Sequence, residues 1–256
     1  MVLLYIPPVQ NLLRREVTAY ASKATGMQIQ VERIDLRFPL NLLVRGVEVI
    51  QQPDTLLSLE SLNVRVQAWP LLKGKVEVDE VTLSQVAVNS ANLIEGMQIK
   101  GVLGRFFLQS HGVDLSNETA VVNRTELSDT HIQLLMTDTT TTPKDTTASA
   151  PVNWKVNLHQ LKLKNVSFGM KLPADSMKMA AYIGEATIDD AKADLKNQFY
   201  GLKQFLLSGA SASYDTGEAQ PSEGFDASHM AVRNIRIGLD LSLIHISEPT
   251  RRRGIS

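Results

Sequence analysis

GMQIQVERIDLRF, residues Gly26–Phe38, marks the point where the chain changes its hydrophobic period. Met27, Ile29 and Val31, then Ile34, Leu36 and Phe38, alternate with Gln28, Gln30, Glu32, Asp35 and Arg37. Successive side chains on a strand point to opposite faces, so this alternation makes a ribbon with one apolar and one polar side. Before Gly26 the spacing is helical. Val9, Leu12, Leu13, Val17, Tyr20 and Ala24 recur at steps of three and four. Pro7 and Pro8 suit a helix start, Lys23 falls in the last turn and Gly26 is placed to cap it. These signals predict an amphipathic helix over residues 9–25. Its apolar stripe is expected to pack on the chain's own sheet, with a bilayer surface as the alternative.

Working outward from Gly26, the period of two largely persists. It predicts strands at 42–50, 56–69, 75–88, 97–109, 120–136, 152–171, 177–195, 205–214 and 230–240. Half-apolar strands in unbroken succession argue for an antiparallel meander rather than βαβ units. The expected fold is mostly β, an elongated, twisted antiparallel sheet forming an open apolar groove, with one N-terminal helix. A short helical turn is expected at Gln198–Gln204. Thr137–Pro151, rich in threonine with Asp138, Pro143 and Asp145, reads as a loop leaving one continuous sheet.

A repeat runs through these strands: apolar, any, apolar, two spacers, apolar, any, apolar. Val81-Leu83-Val86-Val88, Leu161-Leu163-Val166-Phe168 and Ala186-Ile188-Ala191-Ala193 fit it. So do Phe205-Leu207-Ala210-Ala212 and Met230-Val232-Ile235-Ile237. The three-residue step breaks the alternation, so each strand must bulge there to keep its apolar side on one face. Repetition of one unit indicates an elongated stack.

Composition narrows the function. The 256 residues are 43% hydrophobic and 21% charged, which is ordinary for a folded protein. A net charge of −1 offers no basic excess for phosphates, so nucleic acid is not an expected partner. With no cysteine there is neither a disulfide framework nor a thiolate metal site. Val2, Leu3, Leu4, Tyr5 and Ile6 form an apolar run too short to span a bilayer, which needs about 20 residues. Residues 1–8 are therefore read as the remnant of an N-terminal membrane anchor, an ordinary exposed start being the other reading. At the far end, LSLIHISEPTR (Leu241–Arg251) is similar to a translated sequencing-adapter sequence, so Leu241–Ser256 is expected to be an artefact outside the fold.

The succession of Tyr20–Phe38 (YASKATGMQIQVERIDLRF), Asp54–Val88 and Asn89–Asp114 carries a family resemblance, most characteristically at Leu71–Lys75 followed by Val76, Val78, Val81 and Leu83. Residues 9–240 resemble the N-terminal β-groove region of AsmA-like proteins, in particular the TamB family of translocation and assembly module proteins. The resemblance implies a single-pass anchor in the inner membrane of a Gram-negative envelope, with a periplasmic body. It implies a curled sheet whose apolar groove carries phospholipid to the outer membrane, and a role in outer-membrane protein translocation and assembly. The partners it implies are phospholipid acyl chains, the inner membrane and an outer-membrane barrel reached through a C-terminal part absent from this chain.

The residues singled out for the lipid-bearing face are Val44, Val47, Leu57, Leu62, Val64 and Val66. Burial of acyl chain is worth about 0.8 kcal/mol per methylene, so a lipid needs a continuous charge-free face to cross water. No catalytic, cofactor or metal residues are expected. Gly96, Gly101 and Gly104 lack the Lys-Ser/Thr of a phosphate loop, and no G-x-S-x-G elbow occurs. His111, His131, His159 and His229 show no metal-ligand spacing. Asp189-Asp190 reads as a turn or solvated edge rather than an acid–base pair, and Arg105 as a surface arginine beside Phe106 and Phe107. The rival readings are a structural β-repeat, an outer-membrane β-barrel fragment and an envelope hydrolase. A barrel would carry aromatic girdles, and aromatics are only 5% of this chain.

Overall fold

The computed structural model describes residues 7–51, 53–67, 69–70, 77–90, 93, 96–114, 118–136, 153–173, 176–217 and 229–240. The anchor run Val2–Ile6, the Leu71–Lys75 corner, the threonine-rich stretch and the tail from Leu241 lie outside the described residues. Among the described residues, helix α1 (Pro7–Thr25) precedes eleven strands. These are β1 (Gln28–Arg37), β2 (Asn41–Gln51), β3 (Asp54–Val66), β4 (Val78–Asn89), β5 (Met97–Asp114) and β6 (Thr119–Met136). They continue as β7 (Lys155–Leu172), β8 (Met177–Asp194), β9 (Phe199–Gly201), β10 (Gln204–Asp215) and β11 (His229–Asp240).

All eleven strands join one twisted, open sheet in the order β1-β2-β3-β4-β5-β6-β7-β8-β10-β11, with β9 also on β8. The outermost strands β1 and β11 do not pair, so the sheet does not close. Ten strands abreast at about 4.8 Å make a ribbon about 45 Å wide. Two expectations need correction. Gln198–Gln204 is not a helical turn: Phe199–Gly201 pairs with Lys192–Asp194 and prolongs the line of β10 along the edge of β8. Nor is the meander antiparallel throughout, because β6 and β7 run parallel. Their connection, residues 137–154, can reach about 60 Å when extended, the length of an 18-residue strand, so the chain can return to the starting end.

The three-residue step is a structural feature shared by the whole sheet. In β7, Val156, Leu158, Leu161, Leu163 and Val166 are half-buried, whereas Lys155, Asn157, His159, Lys162 and Lys164 are exposed. Between Leu163 and Val166 lies Asn165 at φ 53°. Equivalent residues interrupt the register of every neighbour from β1 to β8: Glu32, Gly46, Glu60, Gln85, Gly104, Asp129, Asn165 and Gly184. From β1 to β8 each strand takes its extra residue at the same level, so pairing stays in step and a crease crosses the sheet; between β10 and β11 the two steps are offset by one row. Gly46, Gln85, Asp129, Asn165, Gly209 and Asn234 carry the positive φ that turns the backbone there. At the crease neighbouring chains approach closely. A Cβ on Gly104 would lie 2.7 Å from the Asp129 Cβ, which explains glycine at that position.

α1 ends as its sequence dictates, with Gly26 at φ 69° and its N–H donating to Ser22 O at 3.0 Å. How it packs differs from expectation. The helix lies against β1 through its polar side. Gln10 donates to Leu36 O at 2.9 Å, Arg14 to Val31 O and Glu32 O at 3.2 and 2.9 Å, and Ile29 N–H donates to Ser22 Oγ at 3.1 Å. A terminal strand presents unpaired main-chain groups, and hydrogen-bonding side chains satisfy them where apolar ones cannot. Leu12, Val17 and Tyr20 of the apolar stripe are consequently left 46–77% exposed.

Candidate functional site

Cross-strand partners share a face, so the register converts the sequence pattern into rows running across the sheet. One row passes through Ile34, Val44, Leu62, Leu83, Phe106, Leu127, Leu163, Ala186, Leu207 and Ile237, apolar on all ten strands. Beside it, the row from Leu36 through Leu42, Val64, Val81 and Leu108 to Leu239 has Thr125 as its one polar member. Beyond the crease, a row from Ile29 through Val49, Leu57, Val88 and Ile132 to Val232 is again wholly uncharged. Charge is confined to the opposite face, where Arg33, Arg45, Ser61, Ser84, Arg105, Ser128, Lys164 and Glu185 form one row.

The six residues singled out from the sequence fall on this apolar face. Val44 and Leu62 are direct partners, Val64 pairs with Leu42 and Val81, and Val66 pairs with Val78. Val47 pairs with Val31 and Leu59, and Leu57 with Val49 and Val88. All six are half-buried rather than sealed. Val88, Ile132, Phe168, Met179, Val232 and Ile237 of the same face remain 37–52% exposed. Each strand packs on its sheet neighbours, and no second layer covers the apolar face among the described residues. A hollow of about 210 Å³ opens on it where Gly101 interrupts a row of larger side chains, walled by Val86, Val88, Ile99, Leu103 and Ile132. The buried Thr130 beside it donates its hydroxyl to Ser128 O at 3.2 Å, so the hollow presents no unmet polar group.

The opposite face holds Arg105, His131, His159, Asp189 and Asp190, and the structure spreads them over several strands. Arg105 lies 5.8 Å from the centroid of the Phe107 ring, on the face away from Phe106. Asp189 accepts from Gln160 at 3.1 Å. Asp190, at φ 50°, faces His159 Nδ1 at 3.1 Å and Lys203 Nζ at 3.8 Å. The hydrogen bond from His159 holds the Asp190 carboxyl below its ordinary range, with Lys203 and Lys192 assisting. A carboxylate so held stays ionised at neutral pH and is a poor proton donor. His131 Nδ1 sits 2.7 Å from Ser167 Oγ, and its cross-strand partners Val102 and Ser167 are both uncharged. Among the described residues no three metal-capable side chains converge, and no helix is long and apolar enough to cross a membrane.

The six residues singled out from the sequence lie on β2 and β3, whereas the apolar face spans ten strands. Ile34, Leu83, Phe106, Leu127, Leu163, Ala186, Leu207 and Ile237 complete the central row. The signal was available in the repeated unit, whose alignment strand by strand yields these rows. No family model and no curated protein matches the chain.

Proposed function

We propose that this chain is a non-enzymatic envelope protein whose apolar sheet face conducts phospholipid acyl chains. In this reading it is the N-terminal groove region of a TamB-type, AsmA-like protein, anchored in the inner membrane with its body in the periplasm. It serves phospholipid transport to the outer membrane, outer-membrane protein assembly, or both, with a barrel partner engaged by a further part of the protein. The observation that carries the reading is the set of charge-free rows crossing the sheet with no covering layer among the described residues.

The energetics favour passage over capture. A chain lying on one face covers about half its surface, recovering about 0.4 kcal/mol per methylene of the roughly 0.8 available. Some fourteen methylenes would then gain about 6 kcal/mol, enough to hold a lipid out of water and too little to fix it. With the rows uncharged, displacement by one row exchanges like contacts for like. α1 adds a membrane-side feature, because its exposed Leu12, Val17 and Tyr20 form the stripe an interfacial helix would lay on a bilayer.

The reading is tested by face-specific photo-crosslinking. A photoreactive residue at Val64 or Val66 is expected to capture phospholipid, and the same residue at Asn63 or Arg65 is expected to capture little. Equal capture from both faces, or none from either, would reject the conduit and leave a structural β-repeat.

A further inference from the structure

We infer that the polar face carries a binding site for a phosphate-type oxyanion at the end of the sheet where β7 turns into β8. A hollow of about 730 Å³ lies there. Its floor is a row of small side chains, Gly169, Ala180, Ser213 and Ala231, in register across β7, β8, β10 and β11. Small residues in that row leave the depression, and the residues around it decide what it accepts.

Three lysines line it: Lys100, Lys171 and Lys178. Lys171 and Lys178 are direct cross-strand partners on an antiparallel pair. Like charges placed so are destabilising, and antiparallel sheets ordinarily set a carboxylate opposite a lysine, as this one does with Lys155 and Asp194. Among the described residues no ion pair relieves Lys100, Lys171 or Lys178. Among the described residues Asp215 is the one carboxylate lining the hollow; it sits in register with Lys178 on the side away from Lys171 and accepts from Gly217 N–H at 2.8 Å. Among the described lining residues, three ammonium groups against one carboxylate leave a positive surplus in a concave site, and Gln98, Gln133 and Ser213 supply neutral donors around it. An oxyanion of charge about −1 to −2 matches that surplus and would bridge the opposed lysines. The phosphate reaches the site free in solution or as a lipid headgroup.

This site lies on the face opposite the proposed conduit, so it stands or falls separately from it. The test uses the full chain with two probes: pyrophosphate by titration calorimetry, and flotation with vesicles of phosphatidylglycerol or phosphatidylcholine. Binding of pyrophosphate, or the excess of phosphatidylglycerol over phosphatidylcholine vesicle binding, is expected to fall at least tenfold in Lys171→Gln/Lys178→Gln and to weaken with salt. Pyrophosphate binding marks a free-anion site, and vesicle binding without it marks a headgroup site. Lys162→Gln, on the same face outside the hollow, is expected to bind as the unaltered protein does. Because the opposed lysines repel, the single Lys171→Gln is expected to melt no lower than the parent. No binding of either probe, or equal losses from Lys162→Gln and the double variant, would overturn the inference.

Discussion

At Asp129 and Asn165 two neighbouring strands hold left-handed backbone side by side, and the Asn165 amide donates to the Asp129 carboxylate at 2.7 Å. Non-glycine residues reach that region at a cost, least for Asn and Asp, so short polar residues recur along the crease. Asn165→Val is expected to lower stability by about 2 kcal/mol, combining a β-branched residue at positive φ with a lost hydrogen bond. Gly104→Ala, which sets a methyl 2.7 Å from the Asp129 Cβ, should cost about 1–3 kcal/mol through forced displacement. Urea denaturation of both variants checks these values. Acid is felt at other residues. Asp194, held below its usual range by Asn197 and then Lys155, and Asp190, held down by His159, have lower pKa values folded than unfolded. Their contribution is complete above the ordinary carboxylate value of about 3.9 and is lost as pH falls through the lowered folded values. Melting temperature should therefore be flat in this respect from pH 7 to about pH 5 and drop below about pH 4. The drop should be shallower in Asp194→Asn. The position of the crease was legible in the sequence because Val81-Leu83-Val86-Val88 and its relatives break the period at one place. Which strands take positive φ there was not legible, because it depends on the neighbour across the crease.

At the scale of elements, the existence of the helix and the middles of the long strands followed from local signals, while strand ends and packing depended on partners far along the chain. The switch of period at Gly26 separated α1 from β1, and Gly26 does cap the helix. The side α1 presents to the sheet was not readable, because its target is the main-chain edge of β1 and not an apolar surface. Arg14→Ala removes hydrogen bonds to Val31 O and Glu32 O and is expected to cost about 1 kcal/mol, seen as faster amide exchange in β1. Leu12→Glu/Tyr20→Glu alters exposed positions, so the melting curve should hardly move while binding to lipid vesicles falls severalfold. Unchanged vesicle binding would separate α1 from the membrane. The parallel β6–β7 pair also has a reason in the unit itself. Apolar, any, apolar, two spacers, apolar, any, apolar reads the same in both directions, so a strand keeps its faces and its crease matched whichever way it runs. Thr125, Leu127, Thr130 and Ile132 accordingly meet Leu161, Leu163, Val166 and Phe168 in parallel register. A pattern with that symmetry specifies faces and leaves strand direction to the connections.

At the scale of the whole molecule, the decisive property is that one side of a ten-strand ribbon is apolar from edge to edge and, among the described residues, has no covering layer. A sealed core and an open conduit demand the same residues and differ in what a charge does to them. Val64 sits in the second apolar row, paired with Leu42 and Val81. The most direct measurement is a melting curve and a lipid-crosslinking yield, taken together, on Val64→Arg in the full chain with the crosslinker at Val66. An arginine on an open face can lay its stem along apolar neighbours and lift its head into water, while placing a charge in the path of an acyl chain. The account predicts a melting temperature within a few degrees of the parent and a several-fold loss of crosslinked phospholipid. Collapse of the fold, with no lipid adduct from Val66 in the unaltered protein, would contradict it and make this face an ordinary core.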